Sequence, residues 1–163
     1  MEKKPKILLI DDDPDFVEVT KRILESKPYQ VVVAVNGKDG LEKARKEKPD
    51  LILLDILMPV TDGFGFAEKF SKERSLSAIP VLALTSFSTS LGEPFGFNVA
   101  EYIRKPVGPR DLIDKVEKHL KRAEEKAMAG VAKGGAKKQK AQAMTPKKPA
   151  KKATKAATKK TRK

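Results

Sequence analysis

The sequence predicts an α/β protein, a doubly wound parallel sheet followed by a basic tail. Three observations carry this. Short, continuously apolar segments alternate with segments of helical periodicity, the apolar segments end in polar residues, and the charge is divided abruptly along the chain. Strands that are apolar throughout belong to a sheet covered on both faces, which means parallel strands joined by helices. Right-handed crossovers then wind the helices onto both faces.

The elements follow in order. "KILLI" (6–10) is the first strand. Asp13 before Pro14 supplies a helix cap and a first-turn proline, and Phe16, Val17, Thr20, Ile23 and Leu24 recur at helical spacing. "YQVVVAV" (29–35) is β-rich, and "NGKDGLEKARKEK" (36–48) is a polar helix with Leu41 and Ala44 inward. "DLILLD" (50–55) is a buried strand, with Asp50 ending a turn after Pro49. Asp62 caps a third helix over 62–74 that turns Phe66, Ala67 and Phe70 inward. "IPVLALT" (79–85) and the short "EYIRK" (101–105) complete the strands. The last helix, "RDLIDKVEKHLKRAEEK" (110–126), has Leu112, Ile113, Val116 and Leu120 on one face. His119 sits in it among charges and reads as a surface residue, neither metal ligand nor phosphodonor. Between strands four and five, Gly92, Pro94 and Gly96 predict a fourth helix that is short, bent or absent over 88–98.

The chain has 35 Lys and Arg; 13 of them fall in 127–163, leaving 22 against all 22 acids in 1–126. A neutral body at 1–126 therefore precedes a cationic tail at 127–163. The tail has no aromatic residue and no acid, and it buries too little to offset ordering, so disorder is expected. There is no Cys, which excludes disulfides and thiolate metal sites. No apolar run reaches the length of a membrane span. The short, acid-terminated N-terminal run does not resemble a signal peptide. A cytoplasmic protein is expected, with nucleoid association through the tail.

In a parallel sheet every strand ends at the same edge. Asp11, Asp12 and Asp13 follow the first strand, Asp55 closes the third, Thr85 the fourth and Lys105 the fifth. In the flavodoxin-like order 2-1-3-4-5 the strand order reverses between strands one and three, where open α/β sheets bind ligands. Asp12 then lies beside Asp55. Crowded carboxylates repel, and a hard cation such as Mg²⁺ relieves this with carboxylate, water and phosphate oxygens. A lysine suits phosphate as a point charge, and a threonine hydroxyl donates to another phosphate oxygen. The set points to Mg²⁺-dependent phosphoryl transfer to an aspartate.

Together "ILLIDDDP", "LILLDILMPVTDG", "LALTS" and "YIRKP" resemble the receiver domain of two-component response regulators, over about residues 5–122. The resemblance implies that Asp55 is the phosphoacceptor. It implies an acidic pair, with Asp12 the direct Mg²⁺ ligand and Asp11 acting through water, and the Leu57 backbone carbonyl completing the metal site with Asp55. Lys105 would pair with phosphoryl oxygens, before a Pro106 that the family often joins by a cis bond, and Thr85 and Tyr102 would form the switch pair. The implied partner is a histidine kinase or phosphotransfer protein. The implied activity is self-catalysed phosphorylation and dephosphorylation of the aspartate, without conventional turnover. A protein-docking or DNA-associated module that no longer uses phosphorylation is the alternative.

Two other motifs carry less. "DDDPD" resembles the Asp-x-Asp motif of haloacid-dehalogenase phosphatases, but Asp15 stands where that motif has Thr or Ser, and the body is too small for the usual cap. "GFGF" (63–66) is half of a dinucleotide fingerprint, without the preceding strand or third glycine. The tail resembles that of linker histones. Its lysines, among them Lys137, Lys138, Lys147, Lys148, Lys151, Lys152, Lys159 and Lys160, suit DNA or another polyanion without base-specific readout.

Overall fold

The computed structural model describes residues 3–58, 63–86 and 99–134. Five parallel strands form one sheet in the order 2-1-3-4-5: β1 (Lys6–Ile10), β2 (Gln30–Ala34), β3 (Leu51–Asp55), β4 (Val81–Thr85) and β5 (Glu101–Arg104). Four helices are described: α1 (Pro14–Glu25), α2 (Gly37–Glu47), α3 (Gly63–Lys72) and α4 (Pro109–Gly134). This is the flavodoxin-like arrangement expected. The residues at 88–98 and Asp62 lie outside the described residues.

The pleat divides the apolar strand residues between two cores. Leu8, Ile10, Ile52, Leu54 and Val81 pack with Leu41 and Ala44 of α2 and with Phe66, Ala67 and Phe70 of α3. Ile7, Leu9, Leu51, Leu53, Leu82, Leu84 and Ile103 face the opposite way, onto Leu24 of α1 and Leu112, Ile113, Val116 and Leu120 of α4. Both faces are covered, so β3 and β4 are buried at every position.

Local chemistry sets the helix starts. The Asp13 side chain accepts from the backbone N–H groups of Asp15 and Phe16 at 3.0 and 3.2 Å, and Pro14 opens α1 where its missing N–H costs nothing. Asn36 caps α2 by accepting from the Asp39 N–H at 2.9 Å. Asp50 does more than end a turn. Its carboxylate accepts the Lys6 N–H at 2.7 Å and ties β3 to the start of β1.

Gly40 of α2 lies against β1. A Cβ there would stand 2.6 Å from Ile10 Cδ1 and within 3.3 Å of two further Ile10 carbons, on a fully buried side chain. Overpacking of this kind costs more than the helix gains from losing a glycine. Gly40→Ala is expected to lower stability by about 1–2 kcal/mol, measured by urea unfolding.

Two sequence expectations are corrected here. The last helix does not stop at Lys126 but runs to Gly134, because "AMAGVAKG" is rich in alanine and carries no proline to end it. The first residues assigned to the tail thus continue a helix. His119 is not a surface residue. It is buried, and its Nε2 lies 2.8 Å from Glu101 Oε2 on β5. Lys115 and Lys118 also donate to Glu101, at 2.5 and 2.7 Å, so one carboxylate joins the edge strand to α4. Burial alone would raise the Glu101 carboxyl, but hydrogen bonds from Lys115, Lys118 and His119 overcome it and hold it at about 2. A depressed carboxyl contributes stability above its unfolded value and loses it as pH falls towards the folded one. Glu101→Gln is therefore expected to cost about 1–2 kcal/mol at neutral pH, after allowance for solvent screening. In a urea series the deficit should shrink between pH 4.5 and about 2.

Candidate functional site

Register places the acids. Ile10 pairs with Leu54, so Asp11 and Asp55, each one residue further on, emerge side by side at the carboxyl edge. Thr85 pairs with Arg104 at the end of β4, and the Lys105 N–H donates to the Thr85 carbonyl at 2.8 Å. The switch point between β1 and β3 thus collects Asp11, Asp12, Asp55 and Lys105.

Asp11 is buried. Its backbone N–H donates to the Ala34 carbonyl at 3.1 Å, and its Oδ1 accepts from the Asp13 N–H at 3.0 Å. Lys105 Nζ lies between two carboxylates, 2.7 Å from Asp11 Oδ2 and 3.0 Å from Asp55 Oδ2. Asp55 Oδ1 accepts the Leu57 N–H at 2.9 Å. Asp12 is exposed, yet one oxygen each from Asp11, Asp12 and Asp55 lie within 4.8 Å of one another. The Lys105–Pro106 peptide is cis.

Electrostatics make this an unsatisfied site. Burial pushes the Asp11 carboxyl up, against the hydrogen bonds from Lys105 and the Asp13 N–H. Burial opposes the Lys105 charge, but the bonds it donates to Asp11 and Asp55 prevail and hold its ammonium above the ordinary lysine value. One ammonium cannot neutralise three carboxylates. A small, all-oxygen donor set with surplus negative charge and one solvent-facing member fits a hard divalent cation.

Of the residues singled out from sequence, Asp11, Asp12, Asp55 and Lys105 come together directly. Leu57 is joined to Asp55 through its N–H. Thr85 is buried at the same rim and meets Lys105 through the backbone. Tyr102 lies within β5, opposite Ala83 and half-buried. The tail lysines from Lys137 onward lie outside the described residues. One contact went unread in the sequence. The Phe16 ring centroid lies 3.9 Å from Lys105 Nζ. Helical periodicity marked Phe16 as a core residue, and its place in the first turn after the acids was the signal available.

A parallel 2-1-3-4-5 sheet with acids and a lysine gathered at its switch point is the CheY-like class of α/β protein. The chain belongs to the response regulator receiver domain family, whose model matches residues 7–117. It is similar to Protein PilH of Pseudomonas aeruginosa, 36% identical over 110 residues that cover 66% of this chain and 91% of that protein. It is also similar to the alkaline phosphatase synthesis transcriptional regulatory protein PhoP of Bacillus subtilis, 33% identical over 121 residues, 73% of this chain and 50% of the relative. The chain spans about half the length of PhoP and several other curated relatives it matches. Among solved structures, the CheY-like receiver domain protein of Methanospirillum hungatei superimposes with a TM-score of 0.69 at 33% identity, covering 76% of this chain and 99% of that one. No helix among the described residues is long and apolar enough to cross a membrane.

Proposed function

We propose that the protein takes a phosphoryl group onto Asp55 from a histidine kinase or phosphotransfer protein, with Mg²⁺, and that its basic tail binds DNA or another polyanion. The observation that carries the first part is the buried Asp55 carboxylate, held within one site by Lys105, Asp11 and Asp12. The family membership supports it, since receiver domains are phosphoacceptor domains. In the reaction an Asp55 oxygen attacks phosphorus, and the bond to the donor breaks with its electron pair leaving on the donor. The Leu57 N–H bond to Oδ1 fixes the rotation of the carboxylate. Lys105 gives up its contact with Asp11 and turns its ammonium to a phosphoryl oxygen, where charge accumulates. The Thr85 hydroxyl serves a second oxygen, and Tyr102 responds as its partner in the switch. Asp12 and Asp55 would hold Mg²⁺ with the Leu57 carbonyl, and Asp11 would act through water. When bound, Mg²⁺ neutralises the carboxylates and polarises the phosphoryl oxygens.

The tail reading rests on sequence alone: 13 cations and no acid in 127–163. Intact mass after incubation with acetyl phosphate, with and without Mg²⁺, tests the phosphoacceptor. One phosphoryl group, gained only with Mg²⁺ and lost in base, is the expected result. No gain would favour the phosphorylation-independent docking module.

A further inference from the structure

The contacts around Lys105 close on themselves. Asp11 accepts from the Asp13 N–H, and Asp13 caps α1 by accepting from the Phe16 N–H. Phe16 lays its ring 3.9 Å from Lys105 Nζ, and Lys105 returns to Asp11 at 2.7 Å. The ring is not adrift at the rim, because Phe16 is half-buried and packed against the α1/α4 core. A cation held near an aromatic ring is attracted by the ring's quadrupole, more strongly where water is excluded. The Lys105 side chain is 16% exposed, so much of its hydration is already gone.

We propose that Phe16 is a positioning residue for phosphoryl transfer, holding the Lys105 ammonium at Asp55 while its carboxylate partners change. The proposal rests on the phosphoacceptor reading of Asp55. In the structure the ammonium bridges Asp11 and Asp55. During phosphoryl transfer the Asp11 contact must be exchanged for a phosphoryl oxygen. The ring belongs to neither set of partners and takes no part in that exchange. It therefore restricts the arc through which the lysine turns, so the ammonium arrives already placed and less entropy is lost in the transition state. An aliphatic side chain at this position would fill the same space against the core and leave the ammonium without its third partner.

The test compares the full-length parent with Phe16→Leu, Phe16→Met and Phe16→Tyr. Leu and Met keep apolar bulk without a ring, and either serves if the other fails to fold; Tyr restores the ring. In the unphosphorylated protein, proton NMR should find the Lys105 ε-methylene shifted upfield by the ring in the parent and in Phe16→Tyr. The shift should be lost in the ring-free variants. With acetyl phosphate as donor, the ring-free variants should be phosphorylated about 3- to 10-fold more slowly at saturating Mg²⁺. Their half-saturating Mg²⁺ should be unchanged, and Phe16→Tyr should recover the rate. Equal rates for parent and ring-free variants, or a methylene shift indifferent to the ring, would overturn the role while leaving Asp55 as phosphoacceptor. A parent that takes no phosphoryl group overturns the reading of Asp55 and this role with it.

Discussion

Asp55→Asn is expected to take no phosphoryl group under conditions where the parent takes one. An amide oxygen is no nucleophile towards phosphorus, and the amide removes one of the two carboxylates that hold Lys105. The fold should persist, since Asn keeps an oxygen able to accept the Leu57 N–H. Neighbouring replacements should separate the roles within the site. Asp12→Ala is expected to weaken Mg²⁺ binding, because Asp12 is the solvent-facing member of the acidic group. Lys105→Ala is expected to impair switching more than metal binding, because it removes a cation and no ligand. Intact mass with acetyl phosphate reads the first result, and Mg²⁺ titration followed by NMR reads the others. Phosphorylation of Asp55→Asn at the parent's level would show that the phosphoacceptor lies elsewhere.

Removing everything after Lys126 is expected to abolish DNA binding and leave phosphorylation intact. Residues 127–163 hold 13 cations, while 1–126 balance 22 basic against 22 acidic residues. If roughly 6–8 of the cations engage phosphates, log K should fall with log salt at a slope of about −5 to −7 on duplex DNA. Base sequence should matter little, because nothing in the tail is suited to reading base edges. A scrambled tail of the same composition should keep most of the affinity. Mobility shifts over a salt series, with full-length, truncated and scrambled proteins, measure all of this. Undiminished binding by the truncated body would sink the idea.

The strands and the carboxylates were legible because each leaves a strong local signature. A buried parallel strand is an uninterrupted apolar run, and a polar residue at its end has one edge on which to emerge. From the sequence, strand order alone placed Asp12 beside Asp55; the register sets Asp11 opposite Asp55 and keeps Asp12 in the same group. Asp13 and Pro14 were legible for the same reason, since a capping side chain and a first-turn proline act on the nearest turn. His119 was not. A histidine among charges looks solvated until β5 brings Glu101 to it across 18 positions of sequence. The role of Phe16 was hidden because periodicity separates core from surface and cannot tell which core residue also borders a site. The left-handed Lys48 that ends α2, at φ 47°, left no mark either, since lysine is not a residue that favours this conformation. The length of α4 was open in the sequence, since a helix can run on past the core and alanine-rich sequence reads equally as helix or as tail.

That length has an electrostatic consequence. The chain enters α4 at Pro109, four residues past the lysine of the site, and leaves it at Gly134. At a rise of about 1.5 Å per residue, these 26 residues carry the chain about 39 Å from where the helix began. The Debye length at physiological ionic strength is about 8 Å. The far end of α4 therefore lies several screening lengths from its first turn, four residues past Lys105, so charge gained at the site is screened out before it reaches Gly134. A charge change at Asp55 acts on that end of the helix through a change of shape and not through its field. The described length of α4 thus carries the chain beyond the electrostatic reach of the site.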